Sequence, residues 1–248
     1  MTLRLAAIAD IHGNSAALTA VLADIRVQGI DQIVNLGDVA SGPLDARGTL
    51  DILMGIEAVT VRGNHDRYLV ERTPDEMGSW ERDIHAQLDA PRLDWLRALP
   101  ATRIFRHDVF LCHATPQDDE TYWLETVHGD GTVAMASLPV IEKFAEGIEQ
   151  SLILCGHSHI PRAVRLSDGR LIVNPGSVGC PGYRDVVPVP HVVETGTPDA
   201  CYAVLEQRDG HWHASFRHVP YDRDAMIALA RHNGRAAWVS ALATGWVS

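Results

Sequence analysis

The chain is almost without lysine: Lys143 is the only one among 21 basic residues, against 32 acidic ones and a formal charge of -11. No block of Lys and Arg stands out to displace counterions, which argues against nonspecific binding of long nucleic acid. A nucleotide or a terminal phosphate is not excluded, because bound cations can reverse a local potential. No apolar run approaches the ~18 residues of a membrane span. Met1 leads into a strand-like stretch with no charged and apolar leader. Cysteine is scarce too. Cys112, Cys155, Cys180 and Cys201 form no C-x-x-C pair and are too few for a disulfide scaffold. Two of them end apolar runs, as small buried thiols do in a reducing compartment, so a cytoplasmic location is expected.

What is present is an ordinary globular composition, 46% hydrophobic over 248 residues, enough to bury a substantial core. Residues 3–9, 30–36 and 58–61 read as strands, with helices at 14–28 and 43–54 between them. Asn14 or Ser15 can cap the first helix. Strand, helix, strand, helix, strand is the pattern of a parallel layer with helices outside it. Residues 67–99 read as helical with interruptions at Pro74 and Pro91. Residues 103–105 and 109–112 form an expected hairpin, 141–148 part of a helix, and 151–155 a buried strand. Further hairpins are expected over 163–174, around an Asp-Gly turn, and over 200–216. Helices follow at 222–231 and 236–242, whereas 114–139 is weakly patterned and 179–197 reads as loop or edge. Two packed sheets flanked by helices fit best, in a single domain spanning 1–248.

Ligand-type side chains end five of the apolar runs. Asp10 and His12 follow the first as D-x-H, and Asp38 follows the second as G-D. Asn64 and His65 follow the third in R-G-N-H-D, His113 follows Cys112, and His157 and His159 lie in G-H-S-H. Alternating pairs let an extended backbone aim two side chains at one point. The result is one polar site along a sheet edge, with two metal ions as natural occupants, and it points to hydrolysis at phosphorus. Asp38, with two oxygens, is best placed to bridge the ions, and Asn64 offers a neutral carbonyl oxygen. His65 cannot easily face the same ion as its neighbour, so it suits the substrate side as a donor to the leaving group or a phosphoryl oxygen. Asp66 either orients His65 or starts the helix with a favourable charge. Arg62 and Arg67 either pin carboxylates or meet phosphate. H-W-H at 211–213 has ligand-like spacing but belongs to a late alternating strand. N-P-G-S-V-G at 174–179 is a turn beside the site or a phosphate-facing loop.

The ordered set D-I-H-G-N, G-D-V-A-S-G-P, R-G-N-H-D, C-H-A and G-H-S-H resembles the calcineurin-like metallophosphoesterase family. N-P-G-S-V-G followed by C-Y-A-V-L-E looks like its small bacterial branch of phosphodiesterases. The resemblance covers residues 3–206. It implies an α/β fold, a four-layer α-β-β-α sandwich of two mixed sheets with helices on both outer faces and a dinuclear site between the sheets. It implies Asp10, His12 and His159 on one ion, Asn64, His113 and His157 on the other, and Asp38 bridging them. Asn64 and His65 would also meet substrate. The protein phosphatase branch shows D-R-G after its bridging aspartate, where this chain has Ser41, Gly42 and Pro43. Residues 114–139 are an expected cap excursion and 183–198 an expected loop insertion. Within the excursion, Tyr122 and Trp123 either stack on a substrate base or simply pack.

The expected reaction is in-line attack on phosphorus by a metal-bridging hydroxide, with Asp38 and His65 as the catalytic pair and no covalent protein intermediate. Mixed nitrogen and oxygen ligation suits two divalent or mixed-valence ions of Mn, Fe, Zn, Ni or Co better than Mg or Ca. The expected partner is a small phosphate ester, possibly a nucleotide, with no membrane. A phosphomonoesterase (nucleotidase or protein phosphatase), an oligonucleotide nuclease and a noncatalytic metal-dependent binding scaffold are the alternatives.

Overall fold

A computed structural model describes residues 3–248. Period-2 alternation sets the layering from the first strand. In β1 (Arg4–Ile8), Leu5 and Ala7 enter one core cluster while Ala6 and Ile8 enter another. Both faces are therefore buried, as expected for a parallel sheet covered on each side. Helix α1 (Ser15–Val27) begins where the Asn14 side chain accepts the Ala17 N–H at 3.0 Å. It returns the chain to β2 (Ile33–Asn35), parallel to β1, and α2 (Ala46–Met54) returns it to β3 (Ala58–Thr60), parallel to β2.

The helical stretch expected over 67–99 is three short helices: α3 (Asn64–Glu71), α4 (Ser79–His85) and α5 (Ala90–Ala98). Pro74 lies in the break after α3. Pro91 does not break anything; it occupies the first turn of α5 behind the Asp89 cap, where its missing N–H costs no hydrogen bond.

A second sheet follows from β4 (Thr102–Phe105), β5 (Val109–Cys112), β8 (Leu152–Leu154), β9 (Arg162–Arg165) and β10 (Leu171–Asn174). Between β5 and β8 lie the ribbon β6 (Glu125–Val127) with β7 (Val133–Met135), then α6 (Leu138–Phe144). Helix α6 starts and stops earlier than the sequence pattern predicts, with Pro139 in its first turn. The segment read as loop or edge, 179–197, holds a second ribbon, β11 (Gly182–Asp185) with β12 (His191–Glu194). The chain then rejoins the first sheet through β13 (Ala200–Arg208) and β14 (His211–Val219), and ends in α7 (Asp224–His232) and α8 (Ala236–Thr244).

The sheets have orders β14-β13-β1-β2-β3 and β4-β5-β8-β10-β9; the parallel trio β1-β2-β3 runs to one edge of the first sheet, and β5-β8-β10 lies inside the second, flanked by antiparallel strands. Leu5, Val34 and Leu36 face Leu111, Leu154 and Val173 in the core between them. Helix residues such as Leu18, Val21 and Leu50 cover the outside of the first sheet, and Ile141 and Ala145 that of the second. The fold is thus an α-β-β-α sandwich of two mixed sheets. Among the described residues no helix is long and apolar enough to cross a membrane.

Candidate metal centre

The loops after β1, β2, β3, β5 and β8 meet at one edge of the sandwich, the usual place for a site in parallel sheets. They meet under strain. Asp10, His12, Asp38, His157 and His159 hold φ values of 54°, 51°, 54°, 69° and 61°, all left-handed. Each such residue costs about 1–2 kcal/mol, and Asp and His are among the side chains that tolerate it best. Backbone bonds hold the turns in place: Asp10 N–H to Gly37 O at 3.0 Å and His12 N–H to Asp38 O at 2.9 Å. Gly37 itself has φ +98°, and a Cβ there would lie 2.4 Å from Gly63 N.

Two groups of ligand atoms result, Asp10–His12–His159 and Asp38–His113–His157, each with its atoms within 4.8 Å of one another. The imidazole tautomers follow from their outer partners. His12 Nδ1 meets Ser41 O at 2.6 Å, His159 Nδ1 meets Cys180 O at 2.8 Å, and His113 Nδ1 meets Leu36 O at 2.7 Å. A carbonyl only accepts, so each Nδ1 carries a proton and Nε2 is left as the ligand atom, presenting a lone pair in His12 and His159. His157 is reversed: its Nε2–H donates to Glu120 O at 2.8 Å, which leaves Nδ1 as its ligand atom.

The lone pairs of His12 Nε2 and His159 Nε2 face each other at 3.1 Å. Burial pushes His12 down to about 4 and His159 well below the usual histidine range, so no proton sits between them near neutral pH. Asp10 Oδ1, buried and without a hydrogen-bond partner, lies 3.6 Å from His159 Nε2. Two imidazole lone pairs and a carboxyl oxygen without a hydrogen-bond partner converge there, a set that fits a cation able to displace the carboxyl proton. In the second group, His113 Nε2 lies 3.1 Å from Asn64 Oδ1 and 3.3 Å from Asp38 Oδ2. The same Asp38 Oδ2 is 3.8 Å from His12 Nε2 and so faces both groups. Burial raises the Asp10 carboxyl to about 8. For His113 burial works downward, but the Asp38 and Asp10 carboxylates outweigh it and lift the ring to about 10. The two clusters are plausible sites for two divalent ions, with protons as their competitors.

His65 lies beside both groups without joining them. Its N–H donates to Asp38 Oδ1 at 2.9 Å, and its Nδ1 lies 3.4 Å from Glu81 Oε1. Burial lowers its basicity, but the charges of Asp38 and Glu81 and the Glu81 contact raise it above the ordinary value. Glu81 was not legible in the sequence; in S-W-E-R-D it reads as a solvated helix charge. It is 5% exposed, and its Oε2 has no hydrogen-bond partner.

Asp66 takes the expected helix-start place in the first turn of α3 and braces a second turn as well. Its carboxylate accepts from the N–H groups of Asp38 at 2.8 Å, Val39 at 3.0 Å and Gly63 at 3.1 Å, tying the β2 turn to the start of α3. Arg62 pairs with Glu71 at 2.9 Å, and Arg67 pairs with Asp119 and Glu120 at 2.7 Å each. Both arginines pin carboxylates. The N-P-G-S-V-G turn is a brace: Asn174 Nδ2 donates to Gly156 O at 2.7 Å, and Ser177 Oγ to Asp10 O at 2.7 Å. His211 and His213 lie on β14, the outermost strand of the first sheet.

The two aromatic candidates part company. Tyr122 stands 5.1 Å from the His157 ring. Trp123 instead is 2% exposed, packs with Ile141 and Ala145, and donates its indole N–H to Ile141 O at 3.0 Å. Trp123 therefore packs the excursion instead of lining the site. Tyr183, not singled out by the sequence, lies 4.6 Å from the His159 ring and 2.5 Å from the Tyr122 hydroxyl. His191 Nε2 completes the group, 3.0 Å from that hydroxyl.

Residues 3–197 match the Calcineurin-like phosphoesterase superfamily domain. An uncharacterized protein of Methanocaldococcus jannaschii is 28% identical over 227 residues, 83% of each chain. The fold is similar to that of a metallophosphoesterase from Sphaerobacter thermophilus, with TM-score 0.76 at 24% identity over 98% of this chain and 100% of that one. It is also similar to a hypothetical protein from Pyrococcus horikoshii OT3, with TM-score 0.75 at 18% identity over 99% of each chain. A domain match over residues 3–197, the span that holds every residue of this centre, places the protein in the calcineurin-like phosphoesterase superfamily.

Proposed function

We propose that the protein is a dinuclear metal-dependent hydrolase of small phosphate esters, and a phosphodiesterase of the small bacterial type. The observation that carries this reading is the pair of lone pairs at His12 and His159, 3.1 Å apart beside an unpartnered Asp10 oxygen. Asp10, His12 and His159 would hold one ion, Asn64, His113 and His157 the other, and Asp38 Oδ2 would be shared. When bound, such a pair supplies Lewis-acid polarisation of the phosphoryl group and a water acidified enough to react near neutral pH.

Glu81 takes the Nδ1 side of His65, so Nε2 is the atom that would deliver a proton to the leaving oxygen. The raised basicity of His65 keeps that proton in place before reaction. The preference for a diester has an electrostatic ground. Arg62 is neutralised by Glu71, and Arg67 by two carboxylates, Asp119 and Glu120, which leaves one net negative charge near α3. A diester monoanion meets less repulsion there than a monoester dianion. The excursion and the insertion meet through Tyr122, Tyr183 and His191, and together they would cap the His157–His159 side of the site. A substrate hydroxyl or base could meet Tyr122 there. Four buried, unpaired cysteines fit a reducing cytoplasm.

Reconstitution with Mn, Fe, Zn, Ni or Co, followed by kcat/KM on bis-nitrophenyl phosphate, mononucleotides and phosphopeptides, tests the assignment. The diester should be preferred. A preference for monoesters would identify a nucleotidase or protein phosphatase, and no turnover with any metal would leave a binding scaffold.

A further inference from the structure

Four rings close a circuit beside the candidate centre. His12 and His65 stand edge to face at 5.5 Å between centroids, His65 and Trp80 at 5.6 Å, Trp80 and Trp238 at 5.8 Å, and Trp238 and His12 at 6.0 Å. Two of these rings belong to the proposed machinery. The other two are indoles to which the reaction as derived gives no task. Trp80 sits on α4 one residue before Glu81, and Trp238 sits on α8, beyond the matched domain of 3–197.

Trp238 is a buried member of a cluster with Leu44, Met226, Ala230 and Leu242, and Trp80 packs against that cluster while staying partly open toward the surface. Trp80 also lines a cavity of about 320 Å³ with Leu44, Asp83, Gln87, Asn233 and Arg235, a space that neither His65, Trp238 nor any candidate metal ligand lines. The opposite flank is chemically different. Against His157 and His159 stand Tyr122 and Tyr183, their hydroxyls joined to each other and that of Tyr122 also to His191. The indole rings thus stand on the His65 side and the hydroxyl-bearing rings on the other. A group leaving toward His65 Nε2 would lie on the side where the Trp80 indole packs against the His65 ring.

We propose that Trp80 and Trp238 form a leaving-group wall, and that the protein selects phosphate esters whose leaving group carries a flat aromatic or heteroaromatic ring. The inference deepens the phosphoesterase reading and rests on its placement of His65 at the leaving group.

The test is calorimetric titration of the full-length, metal-loaded protein with benzylphosphonate and with ethylphosphonate. In both, a carbon replaces the leaving oxygen and blocks hydrolysis. The wild type should bind the benzyl compound about tenfold more tightly, the size of an aromatic contact plus modest apolar burial. Trp80→Leu keeps apolar bulk but loses the ring, and should cut that preference below about threefold with ethylphosphonate affinity unchanged. Trp238→Leu should act in the same direction. No benzyl preference in the wild type, or a preference that survives both substitutions, overturns the wall. Turnover of esters is measured separately on the same preparations. A ring preference in a protein that cleaves no phosphate ester retains the wall and sinks the hydrolase reading, and hydrolysis without ring preference does the reverse.

Discussion

The role of His65 turns on which of its nitrogens is free. With Nδ1 against Glu81 at 3.4 Å, only Nε2 can serve a leaving oxygen. His65→Ala should lower turnover of an alkyl ester by about 10²- to 10⁴-fold, and turnover of a nitrophenyl ester far less, because nitrophenolate needs little proton assistance. Equal losses on both esters would assign His65 to phosphate positioning instead. Glu81 acts through His65. Its charge helps hold the imidazole protonated, so rate should fall as pH rises through the raised His65 value. Removing the charge while keeping an acceptor, in Glu81→Gln, should move that alkaline limb to lower pH with KM little changed. A limb that stays in place would show that Glu81 does not tune the ring. The contrast in legibility is physical. His65 announces itself by adjacency to a ligand asparagine in R-G-N-H-D, whereas Glu81 reaches it only because α4 folds back over α3, which nothing local in S-W-E-R-D encodes.

At the level of elements, the turns that carry the ligands are strained and externally braced. Asp66 supplies the brace at the centre, accepting three backbone N–H groups from two different segments. Asp66→Ala would leave buried donors unpaired and should destabilise the protein by about 3 kcal/mol or more in denaturant melts. Metal affinity should drop with it, since Asp38 rides on the same turn. A change below about 1 kcal/mol would mean that water or a relaxed turn replaces the carboxylate. The ligand turns themselves were readable because branched apolar strands ending in Asp, His or Gly-Asp leave few other interpretations. The helical region was not: Pro91 reads as a breaker yet initiates α5. The ribbon β11–β12 reads only as loop or edge because its strands are short and flank the Pro-rich V-V-P-V-P tip. Trp123 was ambiguous for a related reason. In Y-W, one ring faces the centre and its neighbour the core behind the second sheet, and strand-like alternation alone does not say which.

Across the whole molecule, the centre ties two sheets together. Asp10, His12, Asp38 and Asn64 follow strands of the first sheet, and His113, His157 and His159 follow strands of the second. Bound ions would therefore stabilise the sandwich as well as activate substrate. At a free metal concentration about 100 times Kd, the gain per site is about 2.7 kcal/mol. For a chain of this size that amounts to a Tm rise of about 5–10 °C, lost on chelation. Metal uptake should also release protons. Burial holds Asp10 near 8, so at pH 7 the metal-free carboxyl is largely protonated, and a cation must displace that proton. Affinity should rise with pH between about 6 and 8, and calorimetry in buffers of different ionisation enthalpy should show net release; uptake of protons would contradict the order of these groups. The layered architecture itself was legible from strand and helix alternation. That β13 returns beside β1, and that α8 brings Trp238 to His12, was not, since both depend on contacts between distant parts of the chain.

The most direct measurement is a titration of chelator-stripped protein with Mn, Fe(II) or Zn, recording bound metal per chain and the initial rate of bis-nitrophenyl phosphate cleavage together. Turnover should emerge as the second of two cations binds, and Asp38→Ala should weaken both sites and abolish it. Full turnover in protein that holds no cation would contradict the account.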